Sequence, residues 1–312
     1  MKDSIPSIKD QTPWKTGFFD FGKASGPNTN FFNPAIIQKD GHSWLIARKE
    51  DPIDYNSIGK NSLVAFRLDE NRKPEAFIPI DLSNRNYKDQ HWEDPRIIHF
   101  GGEMLLSCCT FQLYRNNTYS GAHQQVAFLN SSFQPTSIWD PIFGDNGGSI
   151  LMNTGPEKNW IFFEHEGQLM MIYMTEPHHV LQWEDGKVVN QWKTDGFKWS
   201  HGQMRGGSNP IRLGDEYLCF FHSSIQLAER KRRYYMGAYT FEAKPPFRIT
   251  KMTGKPILSG SSADKTRDGH SLVVFPCGAI LERNNCVVSM GINDYTSAWI
   301  EIPVKEIVSK LK

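Results

Sequence analysis

Apolar runs of six to eight residues alternate along the chain with short breaks rich in Gly, Asn, Asp and Pro. Ser43–Arg48, Ser62–Leu68, Glu103–Thr110, Gln168–Thr175, Glu216–Ser223 and Tyr234–Phe241 are examples. Their β-branched and aromatic residues suit extended backbone. Between the runs stand Asp40-Gly41, Gly101-Gly102, Glu166-Gly167, Gly214-Asp215 and Arg283–Asn285, which predict tight hairpins. Helical character is confined to the tail from Val304 to Lys312. The pattern predicts an all-β fold.

One unit recurs: a polar residue, often followed by Pro, three or four apolar residues, a turn and a second apolar strand. It begins at Asn33, Asp94, Asn159, Asn209 and Ser271, at spacings of 61, 65, 50 and 62 residues. Repeats of that length with several strands each predict five blades of a β-propeller in one domain over residues 1–312. An N-terminal extension over about 1–25 and a C-terminal tail over about 304–312 flank the repeats. A blade is apolar on both faces and gains its core only by stacking. The first strand of each blade lines the axis, with Pro tolerated at its start. Asn33, Asp94, Asn159, Asn209 and the Asp268–His270 segment would therefore meet at one axial mouth. Any one Asn or Asp before Pro is an ordinary turn initiator; five in phase point to a ligand pocket. Glu93 and Asp94 form a carboxylate pair beside Arg96. Buried at the axis, one carboxyl would be pushed up by its neighbour and by desolvation, as a general acid near neutrality requires.

Composition narrows the class. Lys plus Arg is 35 against 34 for Asp plus Glu, a formal charge of +1, which argues against a nucleic-acid partner. No stretch nears the ~18 apolar residues of a membrane span, and the first fifteen residues hold no apolar leader. The five Cys, two of them adjacent at Cys108 and Cys109, suit neither a disulfide framework nor a zinc site. His91, His178 and His179 lack metal-ligand spacing, so no metal and no organic cofactor is expected. The reading is a reduced, cytoplasmic protein; self-association into a homo-oligomer stays open.

Five motifs in order carry a resemblance. They are Phe32-Asn33-Pro34-Ala35 with Arg48; Glu93-Asp94-Pro95-Arg96-Ile97; Arg205-Gly206-Gly207-Ser208-Asn209-Pro210-Ile211 with Tyr217-Leu218 and His222; Tyr235-Met236-Gly237-Ala238; and Gly291-Ile292-Asn293-Asp294. Over roughly residues 30–300 the chain resembles glycoside hydrolase family 130, the β-mannoside phosphorylases and mannosidases. The resemblance implies a five-bladed β-propeller with its cleft at the axial mouth and an oligosaccharide or glycoside substrate. It makes Asp94 the catalytic acid, protonating the leaving oxygen through a sugar hydroxyl, with Arg96 orienting it. Asn33 and Arg48 would hold the glycone, and His222, Tyr235 and Asp294 would line the sugar or phosphate site.

The chain departs from the family where phosphate is held. A Lys of the family's phosphorylases stands in a segment that reads Phe162-Phe163-Glu164-His165 here, and an Arg position appears as Gln124 or Gln125. Each charge-assisted contact is worth about 1.5–3 kcal/mol, so these losses weaken phosphate as co-substrate unless Lys158, Arg205 and Arg233 replace them. With water as nucleophile, inversion needs a second carboxylate about 6.5–9.5 Å from the acid; Glu164, Asp268 and Asp294 are the candidates. Three functions remain at this level: an inverting β-mannoside hydrolase or phosphorylase, an intracellular glycosyltransferase on the same propeller, and a non-catalytic carbohydrate-binding propeller.

Overall fold

The computed structural model describes residues 5–10, 12–24, 29–51, 61–83, 87–114, 119–139, 158–229, 231–264 and 271–312. A first strand, β1 (Lys15–Phe18), precedes five antiparallel sheets. Blade 1 runs from axis to rim through β2 (Asn30–Lys39), β3 (His42–Glu50), β4 (Asn61–Leu68) and β5 (Pro74–Ile80). Blade 2 is β6 (Tyr87–Phe100), β7 (Glu103–Tyr114), β8 (Tyr119–Leu129) and β9 (Pro135–Trp139). Blade 3 is β10 (Ile161–His165), β11 (Gln168–Met174), β12 (His178–Glu184) and β13 (Lys187–Thr194). In blade 4 the inner strand is split into β14 (Arg205–Gly206) and β15 (Ile211–Leu213); outside it lie β16 (Glu216–Ala228), β17 (Lys231–Glu242), β18 (Ile249–Met252) and β19 (Leu258–Ser259). Blade 5 is β20 (Val274–Glu282), β21 (Asn285–Ile292) and β22 (Thr296–Pro303), followed by helix α1 (Val304–Ser309).

The N-terminal stretch is not a mere extension. Strand β1 pairs antiparallel with β22, Lys15 opposite Glu301 and Phe18 opposite Ala298, and so completes blade 5 from the other end of the chain. A side chain at Gly17 would meet the Trp299 ring at 2.7 Å, which is why the closing strand carries Gly there.

Consecutive residues of a strand face opposite sides of a blade, and here both sides are buried. Ile36 packs with Leu45, Phe66 and Ile280 between blades 1 and 5. Its neighbours Ala35 and Ile37 pack with Ile97 and Leu106 between blades 1 and 2. Continuous apolar runs are the sequence consequence of this two-sided burial. Aromatic residues fill the wedges: Trp160, Phe162 and Trp183 join blades 2 and 3, with Trp139 stacked on Trp183 at 5.9 Å. All nine Trp of the chain lie in these cores or against them. The high aromatic content serves blade packing. The five cysteines are free thiols, all buried.

The inner strands cross the axis in the same direction. Asn33, Asp94 and Asn159 stand at the near mouth; five residues on, about 16 Å at ~3.3 Å per residue, Gln38, His99 and Glu164 line a far-mouth cavity of about 490 Å³.

Candidate active site

Asn33-Pro34 and Asp94-Pro95 were expected at strand starts, but they lie inside β2 and β6. The ladder slips between Phe32 and Ala35 and between Glu93 and Arg96. At these bulges Asn33 and Asp94 take left-handed backbone, φ 49° and 53°, a region that Asn and Asp tolerate better than other side chains. Pro follows each, and its missing N–H costs nothing where the ladder is already interrupted. The two bulges turn both side chains toward each other across the blade boundary.

The Asn33 amide nitrogen donates to Asp94 Oδ1 at 2.8 Å and to Asp294 Oδ1 at 3.3 Å. Asp294 sits in the turn between β21 and β22, where Asn293 and Asp294 both have positive φ. Asn293 secures that turn: its Oδ1 accepts from Val273 N–H at 2.7 Å and its amide donates to Ser261 O at 2.9 Å. Gly291 of the same motif passes so close to Asn33 that any Cβ there would overlap the Asn33 amide. Arg48, from β3, meets Glu93 Oε1 at 2.7 Å and Asp94 Oδ1 at 3.8 Å. It also lies over the Phe32 ring at 4.5 Å and donates from Nε to Asn61 Oδ1 at 2.9 Å. Burial works against its charge, but Glu93, Asp94, Asp294 and Glu50 together hold its guanidinium above the ordinary value. Burial, aided by Asp94 and Asp294 and opposed by Arg48 and Lys158, pushes the Glu93 carboxyl up.

Arg96 anchors the pair from behind. It donates to Gly207 O at 2.7 Å, Gly206 O at 3.3 Å and the carbonyl of Asp94 at 3.0 Å, tying blade 2 to blade 4 under Asp94. The Gly206-Gly207 step is needed for this approach, since a Cβ at either would strike a main-chain oxygen, of Asn159 or of Phe220. His222 bonds Gly206 O through Nδ1 at 2.9 Å. A carbonyl only accepts, so Nδ1 carries the proton and Nε2 is an acceptor. Burial, with Arg96 and Arg205 nearby, pushes His222 down to about 3, so it is neutral. Lys158 reaches Glu93 Oε2 at 3.8 Å. With Arg205 and Asn159 it lines a cleft of about 410 Å³ between blades 3 and 4.

Several expected site residues lie elsewhere. Glu164 stands on an inner strand but at the far mouth, exposed, because five residues of extended chain separate it from Asn159. It cannot serve as base to Asp94. Asn209 clamps the backbone of Ala279, donating to its carbonyl at 2.9 Å and accepting from its N–H at 3.1 Å; it joins blades 4 and 5 and belongs to the scaffold. Tyr235 packs against His201, ring centroids 4.9 Å apart. Its neighbour Tyr234 takes the inward face, stacked on His222 at 5.8 Å with Asp94, Asp294, Arg205 and Arg232 around its phenol, which burial pushes up. The register of β16 on β17 selects Tyr234: Ser224 opposes Tyr234 and His222 opposes Met236, so His222 and Tyr234 share one face, and no local sequence signal separates it from Tyr235. Arg233 bridges to Leu272 through its backbone and does not line the cleft. Asp268 and His270 lie outside the described residues. Gln124 and Gln125 are buried, and Gln125 accepts from the Trp92 indole at 2.7 Å. Among the described residues no cluster of His, Cys, Asp or Glu could hold a metal, and no helix is long and apolar enough to cross a membrane.

The geometry has relatives. The family profile described as β-1,4-mannooligosaccharide phosphorylase matches residues 12–312. A β-1,2-mannobiose phosphorylase of Listeria innocua serovar 6a is 31% identical over 116 residues, a segment that is 37% of this chain and 31% of that relative. A solved structure of a β-1,2-mannobiose phosphorylase from Listeria innocua, in complex with β-1,2-mannobiose, superposes with a TM-score of 0.67 at 16% identity, covering 98% of this chain and 96% of the other. A structure described under glycoside hydrolases that target β-1,2 mannosidic linkages in Candida mannan superposes at 0.66, with 16% identity and 97% of each chain covered. A mannose phosphorylase of Leishmania mexicana bound to phosphate ion gives 0.63 at 12% identity over 95% of this chain and 90% of that one. The five-bladed propeller is thus the fold of these enzymes, and the chain belongs to glycoside hydrolase family 130, the mannoside phosphorylases and hydrolases.

Proposed function

We propose that this protein cleaves a β-mannosidic bond with inversion, using Asp94 as general acid and inorganic phosphate as nucleophile. Asn33, Arg48 and Asp294 hold the glycone at the near mouth, and neutral His222 accepts from a hydroxyl through Nε2. Asp94 gives its proton to the leaving oxygen, directly or through a sugar hydroxyl. The C1–O bond breaks as a phosphate oxygen bonds C1 from the opposite face, yielding α-mannose 1-phosphate.

One observation carries the choice of phosphate over water: Lys158 and Arg205 line one cleft beside the Glu93–Asp94 pair, while no carboxylate among the described residues stands ready as base. Asp94 and Asp294 lean on a single amide nitrogen at 2.8 and 3.3 Å. Those two oxygens are therefore closer than the ~6.5–9.5 Å that an inverting hydrolase keeps between acid and base. Glu93 is committed to Arg48, and Glu176, the one carboxylate among the described residues that line the cleft, accepts from Met204 N–H at 3.0 Å. Phosphate arrives as an anion and needs cations, not a base. The test is incubation with β-1,2- and β-1,4-mannobiose, with and without phosphate, scoring mannose 1-phosphate and its anomer by NMR. Mannose released at the same rate without phosphate would overturn phosphorolysis and make Glu176 the base to examine.

A further inference from the structure

The carboxylate of Glu93 is divided between two cations from different parts of the ring. Its Oε1 meets Arg48 of blade 1 at 2.7 Å, on the sugar side; its Oε2 faces Lys158, just before blade 3, at 3.8 Å, on the cleft side. Glu93 is 8% exposed, so it cannot swing away to solvent. Its partner in the ladder is Cys109, whose thiol burial pushes up to about 12, so no thiolate competes for either cation. Lys158 is about a third exposed and lines the cleft.

We propose that Glu93 is a positioning residue with opposite effects on the two substrates: it sets Arg48 for the mannoside and holds Lys158 back from the incoming anion. This rests on the reading that Lys158 meets phosphate. An anion entering the cleft must take Lys158 from Glu93. Once it does, Glu93 keeps Arg48 as its one close cation, so the two subsites are linked through one side chain.

The experiment compares the full-length protein with Glu93→Gln, Lys158→Gln and the double variant. KM is measured for β-1,2-mannobiose and for phosphate, with calorimetric Kd for inorganic phosphate alone. Glu93→Gln should raise the mannobiose KM at least about tenfold, as loss of a buried charge partner does. It should lower the phosphate KM and Kd about two- to fivefold, the scale of a half-exposed ion pair released. In the Lys158→Gln background the gain for phosphate should vanish. A general loosening of the site would raise both constants together, and that result overturns the proposal; so does a phosphate gain that persists without Lys158. If Glu93→Gln does not fold, Glu93→Asp, too short to reach both cations, should show the same opposed shifts. A wild-type protein with no saturable phosphate binding would bring down the phosphorylase reading and this role with it. Normal phosphate binding with unsplit constants would remove only the role of Glu93.

Discussion

The same inner strands form two mouths of the axis, and the two differ in kind. At the near mouth the ladders of β2 and β6 break, Asn33, Asp94 and Asn159 take left-handed backbone, Glu93 and Arg96 are buried, Arg48 pairs with Glu93, and Arg96 holds the Asp94 carbonyl. At the far mouth the pairing of Ala35–Lys39 with β3 is regular, and Glu164 and His99 are exposed. His99 makes one contact of note, from Nε2 to Gln38 O at 2.6 Å. Within β2 and β6 the bulges fall where side chains must be aimed, whereas left-handed residues at the far mouth, such as Asp40 and Glu166, belong to the hairpin turns that join regular strand ends. Polar character alone does not set the two mouths apart; enforced proximity of charge does.

The contrast can be broken most directly at Asp94. Asp94→Asn should cut turnover by about 10²–10⁴-fold with an unchanged thermal transition, and retention of more than a few per cent of activity would remove Asp94 as the acid. Gly291→Ala should come next. Its methyl would displace the Asn33 amide, and a shift of about 1 Å at the reacting groups costs on the order of 10²-fold in kcat/KM; activity within twofold of wild type would show that Asn33 does not position the site.

A pH measurement sharpens the comparison. His222, under the near mouth, and His178, in the wall between blades 3 and 4, are pushed by burial to about 3 and about 4 from 6.5, whereas the far-mouth His99 is exposed. Folding holds both buried rings neutral, so the stability they contribute is complete above pH ~6.5 and falls as the unfolded chain takes up protons below it. Between pH 7 and 5 each ring should cost about 2 kcal/mol, read as a lower urea midpoint. Equal unfolding free energies at the two pH values would sink the assignment. The smallest effect belongs to the far mouth: Glu164→Gln should leave kcat and KM within about twofold, and a tenfold loss would put the chemistry at the wrong end of the axis.

Much of this was legible in the chain. The strands, the hairpin turns and the closing helix follow from local patterning, because two-sided burial writes itself as apolar runs between Gly and Asp breaks. The period of about 62 residues implied five blades. Asn33, Arg48, Asp94, Arg96 and Asp294 were identified as candidates and come together at one mouth. The misassignments share one cause. Tyr234 and Tyr235 are adjacent on β17, and nothing local says which faces inward; the pairing of His222 with Met236 decides it. Asn209 carries the same Asn-Pro signature as Asn33, yet its amide is spent on Ala279 of the next blade. Glu164 lies on the right strand, displaced by about 16 Å along it.

The amino-acid order alone therefore determined the all-β character, the repeat number and the residues with chemistry to offer, since strands and turns are written in neighbours a few positions apart and the repeat in its recurrence along the chain. Folding in three dimensions decided the closure of the ring by β1, the sharing of one carboxylate between Arg48 and Lys158, and which polar residues are catalytic candidates and which are mortar. Those outcomes depend on register and on contacts between blades, where groups more than sixty residues apart in sequence meet within hydrogen-bond distance, as Asn33 meets Asp94.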